Sequence, residues 1–274
     1  MPILTLSPEE LLKIIILGLI EGATEFLPIS STGHLIMAEH FLGFTDEGAF
    51  TVGIQSGAIL AVFFAYWDRL KPVITGLFRL ETEAVFFAKA VLIAFLPSAV
   101  LGLLFHSQIK ALLLNPQAVC WAFILGGIAI LVVEKMNKDP QLHDLMEFSA
   151  TTSFKIGLIQ CLSLFPGVSR SGATIVGAML MGVDRKAATE FSFFLAIPTI
   201  FGATVLDIYK SWDSVSDYSG GGLSLAIGFF VSFLSALFVV KKLVEFISHY
   251  GFAPFAWWRI IIGGVCLGFL GLGY

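Results

Sequence analysis

Six long apolar stretches restrict what this chain can fold into. They cover residues 49–67, 85–105, 117–134, 188–208, 222–240 and 255–273. Each is long enough to cross the hydrocarbon core of a bilayer as a helix. The chain is 57% hydrophobic and only 13% charged, about half the charged fraction of a soluble domain. Because backbone in lipid must satisfy its own hydrogen bonds, these stretches predict an all-α integral membrane protein.

Two further apolar stretches are each interrupted by polar residues. The first pairs 11–27 with 30–43, and the second pairs 154–165 with 171–182. A proline stands at each break, where it ends one helix, and a serine follows that can cap the next. Each pair predicts a re-entrant helix–break–helix unit. Such a break survives in lipid only where it is packed in protein or lines a wet cavity.

The two halves of the chain resemble each other around these breaks. Gly18-Leu-Ile-Glu21 matches Gly157-Leu-Ile-Gln160 at an offset of 139 residues. At the same spacing, Phe26, Ser30, Thr32 and Gly33 match Phe165, Ser169, Ser171 and Gly172. Each half would hold one re-entrant pair and three spans, and this odd number of crossings inverts the second half. The prediction is one membrane domain over 1–274, with repeats of about 1–138 and 139–274, six transmembrane helices and two re-entrant pairs.

Lysine and arginine fall unevenly on the two sides of this layout. One side holds Arg69, Lys71, Arg79, Lys89, Lys135, Lys138, Lys155, Arg185, Lys186, Lys241, Lys242 and Arg259. The other side holds Lys13, Lys110 and Lys210. The positive-inside rule places the richer side in the cytoplasm, so both termini and the mouth of the first break are predicted to face outward.

The polar residues of the two breaks define a candidate site. Each break supplies the N-terminus of a half-helix, which carries partial positive charge and free N–H groups. Two such ends aimed at one point make an anion site, and phosphate is the usual guest. The candidate substrate-binding residues are Ser30, Thr32, Gly33, Ser169, Ser171 and Gly172. For any one of these hydroxyls taken alone, a helix cap is the commoner role.

Ionisable residues inside the apolar sequence strengthen this hypothesis. Arg170 has the planar fork that binds two phosphate oxygens. Glu21 and Glu25 lie on one helix face, so they either pair with Arg170 or hold a divalent cation such as Mg or Ca against a diphosphate. His34 is open to two interpretations, a core histidine or an acid/base.

Two stretches resemble the signatures of a known family. The run from Glu21 to His34, EGATEFLPISSTGH, and the run from Phe165 to Thr174, FPGVSRSGAT, look like those of the undecaprenyl-diphosphate phosphatases, also called bacitracin resistance proteins. The likeness extends over essentially the whole chain. It implies a multi-pass enzyme of the bacterial cytoplasmic (inner) membrane that hydrolyses undecaprenyl diphosphate to the monophosphate and inorganic phosphate. That reaction recycles the cell-wall lipid carrier and confers bacitracin resistance. By position, the family's site residues match Glu21, Glu25, Ser31, His34 and Arg170.

The roles of these residues stay open at this point. Ser31 or His34 attacks the phosphorus, or His34 serves as acid/base for a hydroxyl or water. Glu21 and Glu25 hold the cation or orient His34. The cavity is expected to open sideways to lipid and outward to the periplasm. The expected partners are the polyprenyl diphosphate and the bilayer, with no nucleic acid, and a homodimer is left open.

A lipid-phosphate transporter or flippase is the second hypothesis, because paired broken helices in inverted repeats are transporter architecture. A transporter does not need Ser31, His34 and two carboxylates together, so this constellation favours chemistry. The type-2 phosphatidic acid phosphatases are rejected, because no histidine follows Arg170 until His249.

Overall fold

The structure is a computed structural model that describes residues 6–45, 49–105, 107–109, 115–136, 139–210 and 221–271. Several sequence-based expectations concern residues outside these ranges, namely the ends of the proposed domain, Lys110 and Lys138. Two more are Ser216, predicted to face outward, and Gly220, which begins a glycine run expected in a connector. Within the described part of the chain, the named elements are all helical. The prediction of an all-α protein is therefore confirmed.

Eleven α-helices of the described ranges are numbered in chain order. They are α1 (Pro8–Thr24), α2 (Ser31–Leu42), α3 (Ala49–Ala65), α4 (Trp67–Phe78), α5 (Thr82–Leu104), α6 (Pro116–Met136), α7 (Ala150–Gln160), α8 (Arg170–Leu180), α9 (Arg185–Lys210), α10 (Gly221–Tyr250) and α11 (Ala253–Gly271). A short 3-10 turn, Cys161–Leu164, continues α7 toward the second break. The two re-entrant pairs are thus α1–α2 and α7–α8.

The long apolar stretches form helices, and the first of these helices is followed by a sharp bend. In the part of the chain that the structure describes, five helices (α5, α6, α9, α10 and α11) are long and apolar enough to cross a membrane. The predicted stretch 49–67 forms the helix α3, Ala49–Ala65, which ends almost where the stretch ends. The chain bends by 84° between α3 and α4, so these two helices make at most one broken span. The bend lies at Tyr66, just before the charged residues Asp68 and Arg69, which do not continue the apolar composition of α3.

The helices pack in corresponding pairs across the two halves. α1 and α3 both pack on α10, whereas α7 and α9 both pack on α5, and α6 packs on α11. Glycines allow the closest approaches. A Cβ on Gly22 of α1 would lie 2.2 Å from the Ser232 carbonyl oxygen, and one on Gly157 of α7 would lie 2.4 Å from that of Ala94. This matched pattern supports the proposal that the chain contains two repeats.

The largest apolar core of the described residues reaches the first break. It contains the buried ring of Phe26, which makes an edge-on contact with the ring of Phe193 at 5.6 Å between centroids. Phe87 and Phe191 belong to the same cluster. Because Phe26 directly follows Glu25, this packing fixes the end of the first helix arm against α9. The polar side chains of the first break therefore adjoin a closely packed apolar core.

Candidate active site

The first break is built by one strained serine. Ser30 has φ 71° and ψ 95°, a conformation that side-chain-bearing residues rarely adopt, and its hydroxyl accepts the Gly33 N–H at 3.4 Å. Ser30 is therefore the N-cap of α2. A Cβ on Gly33 would lie 2.2 Å from the Phe123 ring, which explains the glycine at that position. Thr32, in the same first turn, is half-buried.

The second break has the same construction. Ser169 has φ 76° and ψ 120°, and its hydroxyl accepts the Gly172 N–H at 3.0 Å, so Ser169 caps α8. The backbone at Gly167 has φ 89°, and a Cβ there would lie 2.7 Å from the Val119 carbonyl oxygen. The helix-cap interpretation thus holds for Ser30 and Ser169. Both helix starts keep the first N–H groups that no helical carbonyl can accept.

The two breaks meet, although 144 residues separate the contacting positions in sequence. The Ser171 hydroxyl donates to the Leu27 carbonyl at 2.7 Å and lies 3.0 Å from the Ser169 hydroxyl. Ser171 is fully buried and links one half-helix to the other. The structure therefore brings the predicted polar residues of both breaks to one place.

A chain of three side chains crosses this junction. The Arg170 guanidinium donates from Nη2 to Glu25 Oε1 at 3.3 Å, and both side chains are 9% exposed. The Ser31 hydroxyl donates to the other carboxylate oxygen, Glu25 Oε2. A hydroxyl bonded to a carboxylate that is itself held by a third group is the usual arrangement of an activated nucleophile.

Arg170 has further partners on α9. Nη1 donates to the Ser192 carbonyl at 2.8 Å, and the guanidinium carbon lies 5.9 Å from the centre of the Phe26 ring. Thr174 donates to the Ser192 hydroxyl at 2.6 Å, which links α8 to α9 at the residue that Arg170 contacts. The buried Nε of Arg170 has no hydrogen-bond partner in the described structure. Part of this cation therefore remains available to an anionic ligand.

Glu21 is fully buried, and neither of its carboxylate oxygens has a hydrogen-bond partner among the described residues. It lies one helical turn before Glu25. Free carboxylate oxygens are the ligands that hard divalent cations prefer. No group of three or more His, Cys, Asp or Glu side chains in the described ranges is arranged to hold a metal by itself. The residues fit a cation that takes its remaining ligands from phosphate oxygens and water.

His34 lies three residues after Ser31 on α2, and both of its ring nitrogens have partners other than the carboxylates. Its Nδ1 is 2.8 Å from the Ser30 carbonyl oxygen, so Nδ1 carries the proton, and its Nε2 accepts the Trp258 indole N–H at 2.9 Å. The two rings also stack, with centroids 6.1 Å apart. The structure therefore orients His34 through Ser30 and Trp258, and not through Glu21 or Glu25.

Arg259 is the site residue that sequence reasoning missed. It was assigned to the cytoplasmic group of cations, and this assignment is wrong, because the side chain is fully buried at the two breaks. Its guanidinium donates to the carbonyl oxygens of Phe123 (3.2 Å), Pro28 (3.0 Å), Val168 (2.8 Å), Ala122 (2.9 Å) and Gly167 (3.0 Å). The available signal was an arginine inside the apolar stretch 255–273, which the rule for intramembrane charges singles out.

An apolar groove of about 560 Å³ adjoins the second break. Its walls include the side chains of Trp121, Leu125, Leu162 and Phe165, and its lining also contains Gly172 and Arg259. These four wall side chains are also exposed on the outer surface. The groove is therefore suited to an apolar chain at membrane depth.

The fold and the site together define a class of protein, a multi-span membrane protein whose two broken helix pairs meet at one buried group of polar and charged side chains. The chain belongs to the bacitracin resistance protein BacA family, whose model matches residues 14–265.

Similar proteins support the same family. A protein of Agrobacterium fabrum named undecaprenyl-diphosphatase 1 is 48% identical over 96% of this chain and 97% of its own length. Undecaprenyl-diphosphatases of Caulobacter sp. and Sphingopyxis alaskensis are 52% and 49% identical, over 93% and 94% of this chain and 96% and 97% of their own lengths. The family resemblance found in the two signatures is confirmed.

Proposed function

We propose that this chain is a membrane-embedded undecaprenyl-diphosphatase, which hydrolyses undecaprenyl diphosphate to undecaprenyl phosphate and inorganic phosphate. The membership of the BacA family and the names of its relatives support this activity. The observation that carries the proposal is the chain Ser31–Glu25–Arg170, which joins a hydroxyl, a carboxylate and a guanidinium across the two breaks. A diphosphate placed there meets two half-helix N-termini.

In the proposed mechanism, Ser31 is the nucleophile and Glu25 is its base. The Ser31 oxygen attacks the terminal phosphorus as its proton passes to Glu25, and the phosphoanhydride bond to the lipid phosphate breaks. Water then attacks the phosphoserine, the Ser31 oxygen leaves and recovers its proton from Glu25, and inorganic phosphate is released. The Nε–H of Arg170, which has no partner among the described residues, would stabilise the charge on the transferred phosphoryl group.

Glu21 has a separate role in this proposal. It would hold a divalent cation, Mg or Ca, with Glu25 at the edge of the same site. When bound, the cation would neutralise charge on the diphosphate oxygens. The two unpartnered carboxylate oxygens of Glu21 support this role. His34 would act from the Trp258 side as a proton donor or acceptor once its Nε2 is released from the indole.

We also place the protein in the bacterial inner membrane, with the site open to the periplasm. The bias of lysine and arginine toward one side of the layout supports this orientation, and it remains after Arg259 is removed from the count. The apolar groove beside the second break would receive part of the lipid tail.

Phosphate release by the purified protein in detergent tests the activity. A phosphatase releases inorganic phosphate from undecaprenyl diphosphate where no membrane is present to cross, whereas a pure transporter does not. The matched control is the Ser31→Ala protein purified in the same way. Absence of release by the well-folded wild-type protein across a range of Mg and Ca concentrations would refute the proposed function.

A further inference from the structure

We infer that Arg259 is a positioning residue, whose guanidinium fixes the two breaks relative to each other so that both half-helix N-termini converge on one phosphate. This inference rests on the proposed function. It concerns a side chain that makes no contact with the Ser31–Glu25–Arg170 chain in the hydrogen bonds described above.

The hydrogen bonds of Arg259 use every donor that the guanidinium has. Nε donates to one carbonyl oxygen, and Nη1 and Nη2 donate to two each. A guanidinium carries five N–H groups, so none is left for a phosphate. Arg170 differs, because its buried Nε has no partner among the described residues. We therefore assign the two arginines different roles. Arg170 contacts the ligand, and Arg259 binds the backbone of the two breaks.

The acceptors of Arg259 come from three separate parts of the chain. Pro28 belongs to the first break, Gly167 and Val168 belong to the second, and Ala122 and Phe123 belong to α6. The separations in sequence range from 91 to 231 residues. The single nitrogen Nη1 links the two breaks, since it donates to the carbonyl oxygens of both Pro28 and Val168.

This junction also explains how two strained serines are maintained. Val168 directly precedes Ser169, and Pro28 lies two residues before Ser30. Arg259 therefore holds the backbone of each break next to the serine that has a positive φ. The peptide group is planar and trans, so a Val168 carbonyl turned toward Arg259 sends the Ser169 N–H to the opposite side. Backbone in such a conformation persists only when its surroundings fix it.

Gly126 of α6 supplies the space that Arg259 needs. A Cβ at Gly126 would lie 2.0 Å from Nη2 and 2.6 Å from the guanidinium carbon. The Gly126→Ala change therefore displaces the guanidinium and leaves Arg259 and its charge in the protein. Gly264, on α11 itself, offers the matched control, because a Cβ there has no neighbour within 4 Å in the described structure.

The test compares Arg259→Gln, Arg259→Lys and Gly126→Ala with Gly264→Ala and wild type. Each protein is purified in detergent and assayed for phosphate release from undecaprenyl diphosphate well below its melting temperature. We expect kcat/KM to fall by about 10²-fold in Arg259→Gln and Gly126→Ala, because misplacement by about 1 Å costs that much. Arg259→Lys should recover part of the loss, and Gly264→Ala should match wild type.

A distance measurement separates this inference from the proposed function. Spin labels are placed at the exposed positions Leu19 and Leu162, one on each break's first arm, after Cys120, Cys161 and Cys266 are replaced by alanine. Pulsed electron resonance should give a narrow distance distribution in wild type and a broadened one in Arg259→Gln and Gly126→Ala. Adding methylguanidinium to Arg259→Ala should narrow the distribution again, since Arg259 lines the open groove.

The outcomes are distinct. If wild type releases no phosphate, the proposed function fails, and the distance distributions still decide the role of Arg259. If folded Arg259→Gln and Gly126→Ala keep wild-type kcat/KM and a narrow distribution, Arg259 does not position the breaks. If stability alone falls while kcat/KM and the distance are unchanged, Arg259 is only structural and the inference is overturned.

Discussion

Arg170 and Glu25 form a buried ion pair, 3.3 Å apart, between residues that lie 145 positions from each other in sequence. Each residue comes from a different re-entrant pair, so this contact exists only when the two breaks are assembled. Removing one partner of a buried pair leaves an uncompensated charge, which costs about 3–5 kcal/mol. The pair thus couples the stability of the fold to the assembly of the candidate site.

Arg170→Lys tests whether the fork of the guanidinium matters beyond its charge. Lysine keeps the charge but cannot hold Glu25, Ser192 and a phosphate oxygen together. We expect kcat to fall by about 10²–10³-fold with a smaller change in KM, since the lost contact acts mainly on the transferred phosphoryl group. Steady-state phosphate release on protein with a wild-type melting temperature measures this. Unchanged kcat would remove Arg170 from the catalytic role.

Ser31→Ala tests the nucleophile. If Ser31 attacks the phosphorus, kcat should fall by at least about 10³-fold, because in the described structure no other hydroxyl donates a hydrogen bond to Glu25. The control is Ser149→Ala, which removes the cap of α7 away from the site, where the serine accepts the Thr152 N–H at 3.1 Å. That control should lose about 1 kcal/mol of stability and keep its activity. A Ser31→Ala enzyme with ordinary turnover would point to water as the nucleophile.

Glu21→Gln and chelation test the cation. Loss of the anionic oxygens of Glu21 should weaken the apparent affinity for Mg or Ca, and chelator should abolish turnover in wild type. Titration of activity with each metal after chelation gives both results. Full activity in chelator would contradict a metal role and leave Glu21 as a buried carboxyl that acts on Glu25 and Arg170 through its charge.

Gly22→Ala tests the close approach of α1 and α10. The new methyl would lie 2.2 Å from the Ser232 carbonyl oxygen, so we expect a loss of about 1–3 kcal/mol in stability from overpacking. Gly268→Ala is the control, because a Cβ there has open space around it in the described structure. Thermal melting in detergent should separate the two variants, and equal melting temperatures would show that the helices are not this close.

Cysteine labelling tests the orientation in the membrane. In a background free of native cysteines, an impermeant reagent applied outside should modify Ser216→Cys and leave Gln141→Cys unmodified. Gln141 lies in the polar segment between α6 and α7, on the side predicted to be cytoplasmic. The opposite pattern would invert the layout and close the site to the periplasm.

Local chemistry allowed the sequence to predict the helices and the two breaks. Long apolar stretches must be helical in lipid, and prolines followed by serines end one helix and begin another. The serine caps at Ser30 and Ser169 and the meeting of the two breaks agree with this prediction. The family signatures were likewise recognisable, because they consist of contiguous residues.

The bend between α3 and α4 could not be read from hydropathy alone. Hydropathy records only that 49–67 is apolar, and it does not record where a helix must turn to pack on α5 and α10. The direction of α4 is decided by contacts with residues far away in the chain. For this reason the sequence predicted the helix α3 but not the direction that the chain takes after it.

Only the tertiary structure decided which polar groups act together. Ser31 rather than His34 donates to Glu25, and His34 pairs with Trp258. Arg259 is buried between the two breaks and does not lie with the cytoplasmic cations. Each of these contacts joins atoms whose residues are distant or whose side-chain directions depend on packing. A sequence determines which groups are present and which local shapes they favour. Hydrogen bonds between distant segments, such as Arg259 with Pro28 across 231 residues, form only once the whole chain has packed.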